Sequence, residues 1–361
     1  MTIYIMALEP LDTRYTGQWF NGLPSLIRSE AESRGVQVEV VNIAGEQTSS
    51  TVTEGAFLDF FATNIWKNTQ VNELVRRFQA GEVKAGDKVL FTDAWHTGIT
   101  QVRYMSELMN IPVEIHSMWH AGSYDPQDFL GRLIKDKKWT FNTERGLFFA
   151  ADFNYFATEY HRDLFIDTLF IHADAWERYE ARKRCLISGQ PHNALVEALE
   201  PFRGMQKERL VLFPHRLAPE KQVEIFRDLS TRMPGTKFVV CQDEKLTKDQ
   251  YHDLLGRAMM VFSANLQETL GISAMEGVLV DAMPCLPNRL SYTEMYEEKY
   301  LYPSEWTKDW KSYVTHRDEL ISHMNVMMDD YWETCEVLKQ QKTRLLDHYL
   351  SCKPMLDGLL G

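Results

Sequence analysis

Two doubly wound α/β domains are what this sequence predicts, and three observations carry the prediction. Short apolar runs of strand length alternate with helical stretches along the chain, the pattern of parallel sheets covered by helices. A chain of 361 residues with 44% hydrophobic content can bury two cores of ordinary size. Twice, a strand runs out into a polar turn and a charged helix start, the layout that puts ligands at the C-terminal edge of an open sheet.

The elements follow in order. The opening Met1-Thr-Ile-Tyr-Ile-Met-Ala-Leu8 has no basic segment before its apolar residues, so it reads as a first strand, 2–8, and not as a signal peptide. Further strands are expected at 36–43, 88–93, 112–118 and 154–158, then at 210–214, 237–242, 259–263 and 283–286. Helices are expected from Gln18 to Arg34, Asn72 to Ala80, Val102 to Asn110, Gln127 to Asp136 and Gln222 to Met233, and the tail 317–361 is helical in pattern. The turn-rich Ser188-Gly-Gln-Pro-His192 follows a charged segment, Glu177 to Arg184. A first domain of 1–184, a second of 185–335 and a terminal helix of 336–361 are therefore expected.

Composition narrows the function classes. No apolar run reaches the roughly 20 residues that span a bilayer. The five cysteines, 185, 241, 285, 335 and 352, have no metal-ligand spacing and are odd in number. Reduced thiols of a cytoplasmic protein are the natural reading. A net charge of −12 argues against gripping nucleic acid with the whole surface, while leaving room for a local basic patch.

The most informative stretch is Glu268-Thr-Leu-Gly-Ile-Ser-Ala-Met-Glu276. Just before it, Met259-Met-Val-Phe-Ser-Ala264 reads as a buried strand, so the order is strand, acidic turn, glycine, helix. Free backbone N–H groups and the positive end of a helix dipole then face whatever lies above the strand end, a natural place for an anion. Carboxylates beside an anion site are repulsive unless they accept hydrogen bonds from hydroxyls. Phosphate on N–H groups with hydroxyls on carboxylates describes a nucleotide-sugar. Two solvated glutamates at a helix start are the bland alternative. Upstream, Leu210-Val-Leu-Phe-Pro-His-Arg216 ends a strand and Lys221 precedes the next helix. A guanidinium fork and an ammonium at that edge can neutralise a diphosphate.

These residues resemble the donor site of retaining glycosyltransferases of the two-domain GT-B fold, in the glycosyltransferase family 4 group. Phe-Pro-His-Arg-Leu-Ala-Pro-Glu-Lys, Glu-Thr-Leu-Gly-Ile-Ser-Ala-Met-Glu-Gly, Pro284-Cys-Leu-Pro-Asn-Arg-Leu-Ser-Tyr-Thr-Glu294 and Tyr300-Leu-Tyr302 are similar to the C-terminal half of tRNA-queuosine mannosyltransferases. Leu8-Glu-Pro10 and Ala151 to Phe165 resemble the same group. The family's glycine-serine-histidine element stands here as Tyr15-Thr-Gly-Gln-Trp19, and its histidine-glutamate-asparagine loop has no clean equivalent in His116-Ser-Met-Trp-His120. The resemblance implies two Rossmann-like domains facing a cleft, with the last helix crossing back to the first domain.

It also implies roles. Arg216 and Lys221 would hold the donor diphosphate, Glu268 the sugar hydroxyls and Glu276 the ribose hydroxyls. The N–H groups of Thr269, Leu270, Gly271 and Ile272 would touch phosphate or sugar, Gly271 without a side chain to obstruct them. Gly17 is assigned to the donor. No cofactor beyond the nucleotide-sugar is implied. With no Asp-x-Asp pair in the chain, no metal is expected. Acceptor candidates lie at strand ends of the first domain: Tyr15, Thr16 and Gln18, then Asp93, Trp95 and His96, then Trp119 and His120. His120 is the first choice for a group beside the reacting sugar, and His96 the second. Arg132, Lys135, Lys137, Lys138 and Arg145, with Trp139 among them, form the dense basic cluster of the first half. They are the candidate contact for a nucleic-acid backbone, a solvated helix face being the alternative. The acceptor expected from the resemblance is a hydroxyl on a nucleobase, queuosine in tRNA or a hydroxymethylated pyrimidine in viral DNA. A saccharide or lipid acceptor, or a non-catalytic binding module that has kept the fold, are the alternatives.

Overall fold

The computed structural model describes residues 1–11, 15–48 and 59–361; the side chains of Tyr15 and Cys335 lie outside that description. Eleven strands are present among these residues, in two sheets. The first holds β1 (Thr2–Met6), β2 (Glu39–Ile43), β3 (Lys88–Phe91), β4 (Glu114–Met118), β5 (Phe153–Phe156) and β6 (Cys185–Ile187), in the order β2-β1-β3-β4-β5-β6. The second holds β7 (Glu208–Phe213), β8 (Lys237–Val240), β9 (Ala258–Phe262), β10 (Met283–Pro287) and β11 (Leu301–Tyr302), in the order β11-β10-β9-β7-β8. Every pairing is parallel.

These orders place a reversal between β1 and β3 in the first sheet and between β7 and β9 in the second. In an open parallel sheet the loops leaving such a pair diverge to opposite faces and leave a crevice at the C-terminal edge. Strands buried on both sides read as continuous apolar runs, as the stretches 89–91 and 210–213 of β3 and β7 do. In the first unit one face is packed by Phe91, Phe148, Phe156 and Phe165, the other by Ile3, Ile5, Trp19 and Leu23.

The compact units are Met1–His192 with Ser351–Gly361, and Asn193–Leu350. This corrects the expected boundaries of 184/185 and 335/336. Cys185–Ile187 hydrogen-bonds to β5 in the register Asn154↔Cys185, so the first domain cannot stop at Arg184. The helix Cys335–His348 belongs to the second unit, and the first takes only the helix Lys353–Leu360. There Met355, Leu356, Leu359 and Leu360 join the core beside Ile3 and Ile5. Lys88 Nζ donates to Gly358 O at 2.8 Å, and Arg34 pairs with Asp357 at 2.8 Å. No helix among the described residues is long and apolar enough to cross a membrane.

Candidate donor site at the edge of the second sheet

The site is built where β7 and β9 part. β7 runs into His215 and Arg216, and a short 3-10 turn, Pro219–Lys221, aims Lys221 back over the strand ends. Gln222 takes the left-handed conformation (φ 53°) that ends this turn. Its amide pins the geometry by donating to Ala264 O at 2.6 Å and Thr307 O at 2.7 Å. Lys221 is 5% exposed, and its ammonium donates to Gln267 O at 2.6 Å and to Glu268 Oε2 at 3.3 Å.

A buried ammonium needs charged or carbonyl partners to offset its desolvation, and the β9 loop supplies both. Asn265 Nδ2 also donates to Glu268 Oε2, at 3.3 Å, and to Tyr292 Oη at 3.0 Å. The loop is braced from below. Arg289 donates to the carbonyls of Ala264, Asn265, Ser304 and Thr307 and to Thr307 Oγ1, and Tyr302 Oη donates to Ser263 O at 2.6 Å. Burial pushes the Glu268 carboxyl up, but the Lys221 ammonium and hydrogen bonds from Lys221 and the Gly271 N–H outweigh it. The net shift is downward, so the group is a carboxylate at neutral pH. His215 is neutral, its pKa lowered to about 4 by burial and by Lys221. Its Nε2 donates to Phe262 O at 3.1 Å, and Nδ1 lies 3.2 Å from Ser273 Oγ, tying β7 to β9 and to the next helix.

Gly271 is required here twice over. Its φ is +81°, and a Cβ would come within 2.8 Å of the Tyr292 ring. It caps the helix Ile272–Leu279, whose first-turn N–H groups, including those of Ile272 and Ser273, have no intrahelical acceptor. Thr269 differs from expectation, because its N–H is 3.3 Å from its own neighbour's carboxylate, Glu268 Oε1. The Leu270 side chain is 2% exposed and packs inward, so only its backbone is available to a ligand. Arg216 stays at the rim, with its side chain 37% exposed and bound to Glu220 at 2.6 Å. Lys221 and Glu268 are thus in contact, while Arg216 shares their loop without touching them.

Glu276 sits one turn into the helix, and its Oε2 accepts from Tyr251 Oη at 2.6 Å. Burial pushes its carboxyl up to about 7, with the Tyr251 hydrogen bond and the Lys248 charge opposing. The folded pKa lies above the unfolded one. Between the two values the folded state therefore binds more protons, and stability is lost as pH rises through that window. Glu276→Gln should accordingly gain melting temperature relative to the parent at pH 8 and much less at pH 5. Equal differences at both pH values would show that Glu276 does not titrate there.

In the first unit the acceptor candidates divide. Trp119 is 1% exposed, stacks on Phe156 at 6.0 Å and donates to Asn154 Oδ1 at 2.8 Å. It is a core residue, which corrects its assignment to the acceptor. His96 is 2% exposed, accepts the Gly98 N–H at Nδ1 (3.0 Å) and lies 3.3 Å from Gln70 Oε1 through Nε2. Burial lowers its pKa to about 3, so it is a neutral, satisfied side chain at a helix start and is likewise withdrawn. His120 lies over the ends of β3 and β4, with Nε2 2.7 Å from Thr92 O and Nδ1 3.2 Å from Gln190 Nε2. Both ring nitrogens are engaged, so the imidazole is held and not poised to take a proton.

Asp93 is ionised. Burial opposes this, but Lys67, 2.7 Å away, and the Trp95 N–H hold its pKa below the usual range. Trp95 Nε1 donates to Glu144 Oε1 at 2.8 Å, which fixes the indole against the loop around Ser123. Thr16 is 1% exposed and accepts the Leu11 N–H, whereas Gln18 is half-buried; with Gly17 and Tyr15 they open the helix Tyr15–Ser33. The basic cluster is dispersed: Arg145 pairs with Glu177 at 2.7 Å and Lys137 donates to Gly131 O, while Arg132, Lys135, Lys138 and Trp139 are exposed. Sequence reading missed Tyr251, Asn265, His215 and Arg289 as parts of this candidate site. His215 and Arg289 stand inside the motifs quoted above, but nothing in their spacing shows what they bind.

No family model and no curated protein matches this sequence. Solved structures do match in fold. The catalytic domain of starch synthase IV from Arabidopsis thaliana is similar with a TM-score of 0.62 at 11% identity, covering 99% of this chain and 99% of that one. Sucrose-phosphate synthase from Thermosynechococcus elongatus gives 0.57 at 11% identity, covering 98% and 97%. WaaG, a glycosyltransferase involved in lipopolysaccharide biosynthesis, gives 0.51 at 12% identity over 100% of both chains. Two parallel-sheet α/β domains with these neighbours define the GT-B fold.

Proposed function

We propose that this chain is a retaining, metal-independent glycosyltransferase that moves a sugar from a nucleotide-sugar to a hydroxyl of a modified nucleobase in nucleic acid. The observation that carries the donor half is the pairing of buried Lys221 with half-buried Glu268, 3.3 Å apart, beside the N-terminal end of the helix Ile272–Leu279. An ammonium, helix N–H groups and a carboxylate kept ionised suit a diphosphate joined to a polyhydroxyl ring. Arg216 and Lys221 stabilise the departing diphosphate, where charge grows in the transition state. Glu268 accepts from sugar hydroxyls and Glu276 from the ribose. In front-side attack the acceptor oxygen bonds to the anomeric carbon as the bond to the diphosphate breaks. The acceptor's proton passes to the leaving phosphate oxygen, so His120 need not act as a base.

Two cations for the diphosphate leave no role for a bridging metal, and no cofactor beyond the donor is needed. Transfer should persist in excess chelator, and a strict dependence on Mg²⁺ or Mn²⁺ would contradict this site. The described cysteines 185, 241, 285 and 352 are buried free thiols, in keeping with action in the cytoplasm.

The nucleobase acceptor rests on the sequence resemblance, and on the exposed Arg132, Lys135 and Lys138, close in sequence to an exposed Trp139. Cations for phosphate with a ring for stacking are what a nucleic-acid contact uses. A saccharide acceptor is the second reading, favoured by the starch synthase, sucrose-phosphate synthase and lipopolysaccharide transferase among the similar folds. Mass spectrometry of tRNA, hydroxymethylated DNA and oligosaccharides, each incubated with a panel of nucleotide-sugars, separates the two. A hexose increment on a nucleoside supports the first reading. An increment confined to the oligosaccharides replaces it with the second.

A further inference from the structure

Glu276 joins the helix Ile272–Leu279 to a polar side chain of the preceding helix, Lys248–Arg257, through a hydrogen bond that the donor reading leaves unexplained. The preceding helix is itself well fixed. Thr247 and Gln250 close a capping box at its start, each side chain bonding the other's backbone N–H. Tyr251 follows at once and is half-buried, and its hydroxyl reaches Glu276 Oε2 at 2.6 Å. A glutamate at a helix surface ordinarily spends its time among several rotamers, and stilling it costs entropy when a ligand arrives. Here a rigid phenol has already stilled it, and Oε1 has no protein hydrogen bond among the described residues.

We propose that Tyr251 is a positioning residue of the donor site: it fixes the Glu276 carboxylate through Oε2 and leaves Oε1 to accept a ribose hydroxyl of a nucleoside diphosphate. This rests on the donor reading given above. Tyr251 touches no reacting atom and acts through Glu276.

The arrangement has a pH signature. The groups facing Glu276 are Tyr251 and Lys248 from the preceding helix and Cys241 at the end of β8. Burial pushes the Cys241 thiol up to about 12 and the Tyr251 hydroxyl well above its usual value, so neither ionises near neutrality. Burial places the Glu276 carboxyl near 7. Only its ionised form offers Oε1 as a strong acceptor, so nucleotide binding should weaken as pH falls through 7. The Tyr251 hydrogen bond favours the ionised form; removing it moves the midpoint upward.

The test is calorimetric titration of the full chain with UDP, GDP, ADP and CDP between pH 5.5 and 9, for the parent, Tyr251→Phe and Glu276→Gln. The nucleotide's terminal phosphate titrates near pH 6 by itself, and Glu276→Gln supplies that background. We expect Tyr251→Phe to bind the preferred nucleotide about tenfold more weakly at pH 7, with its midpoint about one pH unit higher. Glu276→Gln should keep only the background slope. Circular dichroism melts establish that each variant is folded. Unchanged affinity and midpoint in folded Tyr251→Phe overturn the positioning role while leaving the donor site standing. If the parent binds none of the four nucleotides, the donor reading falls and takes this inference with it.

Discussion

Glu268→Ala should lower sugar transfer by about 10³-fold while leaving the fold intact, the upper end of what losing one preorganised polar group costs. The side chain lies at a loop, outside the apolar packing, and its partners Lys221 and Asn265 retain other contacts in the variant, Gln267 O and Tyr292 Oη. Its removal therefore deletes an acceptor for sugar hydroxyls more than it disturbs the core. Initial-rate measurements with circular dichroism as control make the check. Near-normal turnover in a folded variant would remove Glu268 from the sugar site.

Lys221→Ala and Arg216→Ala should each cost on the order of 10²-fold in rate, but they should differ in stability. Lys221 is 5% exposed and neutralises Glu268 from within. Its loss leaves a carboxylate without its ammonium in a poorly solvated place, so the melting temperature should fall. Arg216 is at the rim, and its loss should leave the melting temperature nearly unchanged. The stability order Arg216→Ala above Lys221→Ala, at similar rate losses, distinguishes a diphosphate site from a merely structural ion pair. Full activity in both variants would refute the diphosphate assignment.

The parts of this site that were readable from sequence are those encoded locally. Arg216, Lys221 and Glu268 each follow an apolar strand and precede a helix, and a strand's end dictates where its loop opens. Gly271 was readable because a turn into a helix at that point needs a residue without Cβ. What was not readable depends on partners far along the chain. Tyr251 meets Glu276 across 25 residues, and Arg289 reaches back to Ala264 and Asn265. The placement of the aromatic and histidine candidates of the first domain was hidden for the same reason. Trp119, His96 and His120 stand at strand ends, as a ligand site would have them, but burial and remote partners (Asn154, Gln70 and Gln190) decide what they do. Cys185–Ile187 was missed because three residues carry too little period to be seen beside a charged helix. That omission moved the domain boundary.

Isothermal titration of the purified chain with nucleoside diphosphates tests the central claim most directly, because it addresses the donor site without needing the acceptor. The account predicts stoichiometric, metal-free binding of at least one nucleoside diphosphate, lost or strongly weakened in both Arg216→Ala and Lys221→Ala. Absence of binding across the whole panel, or binding that both variants retain unchanged, would contradict it.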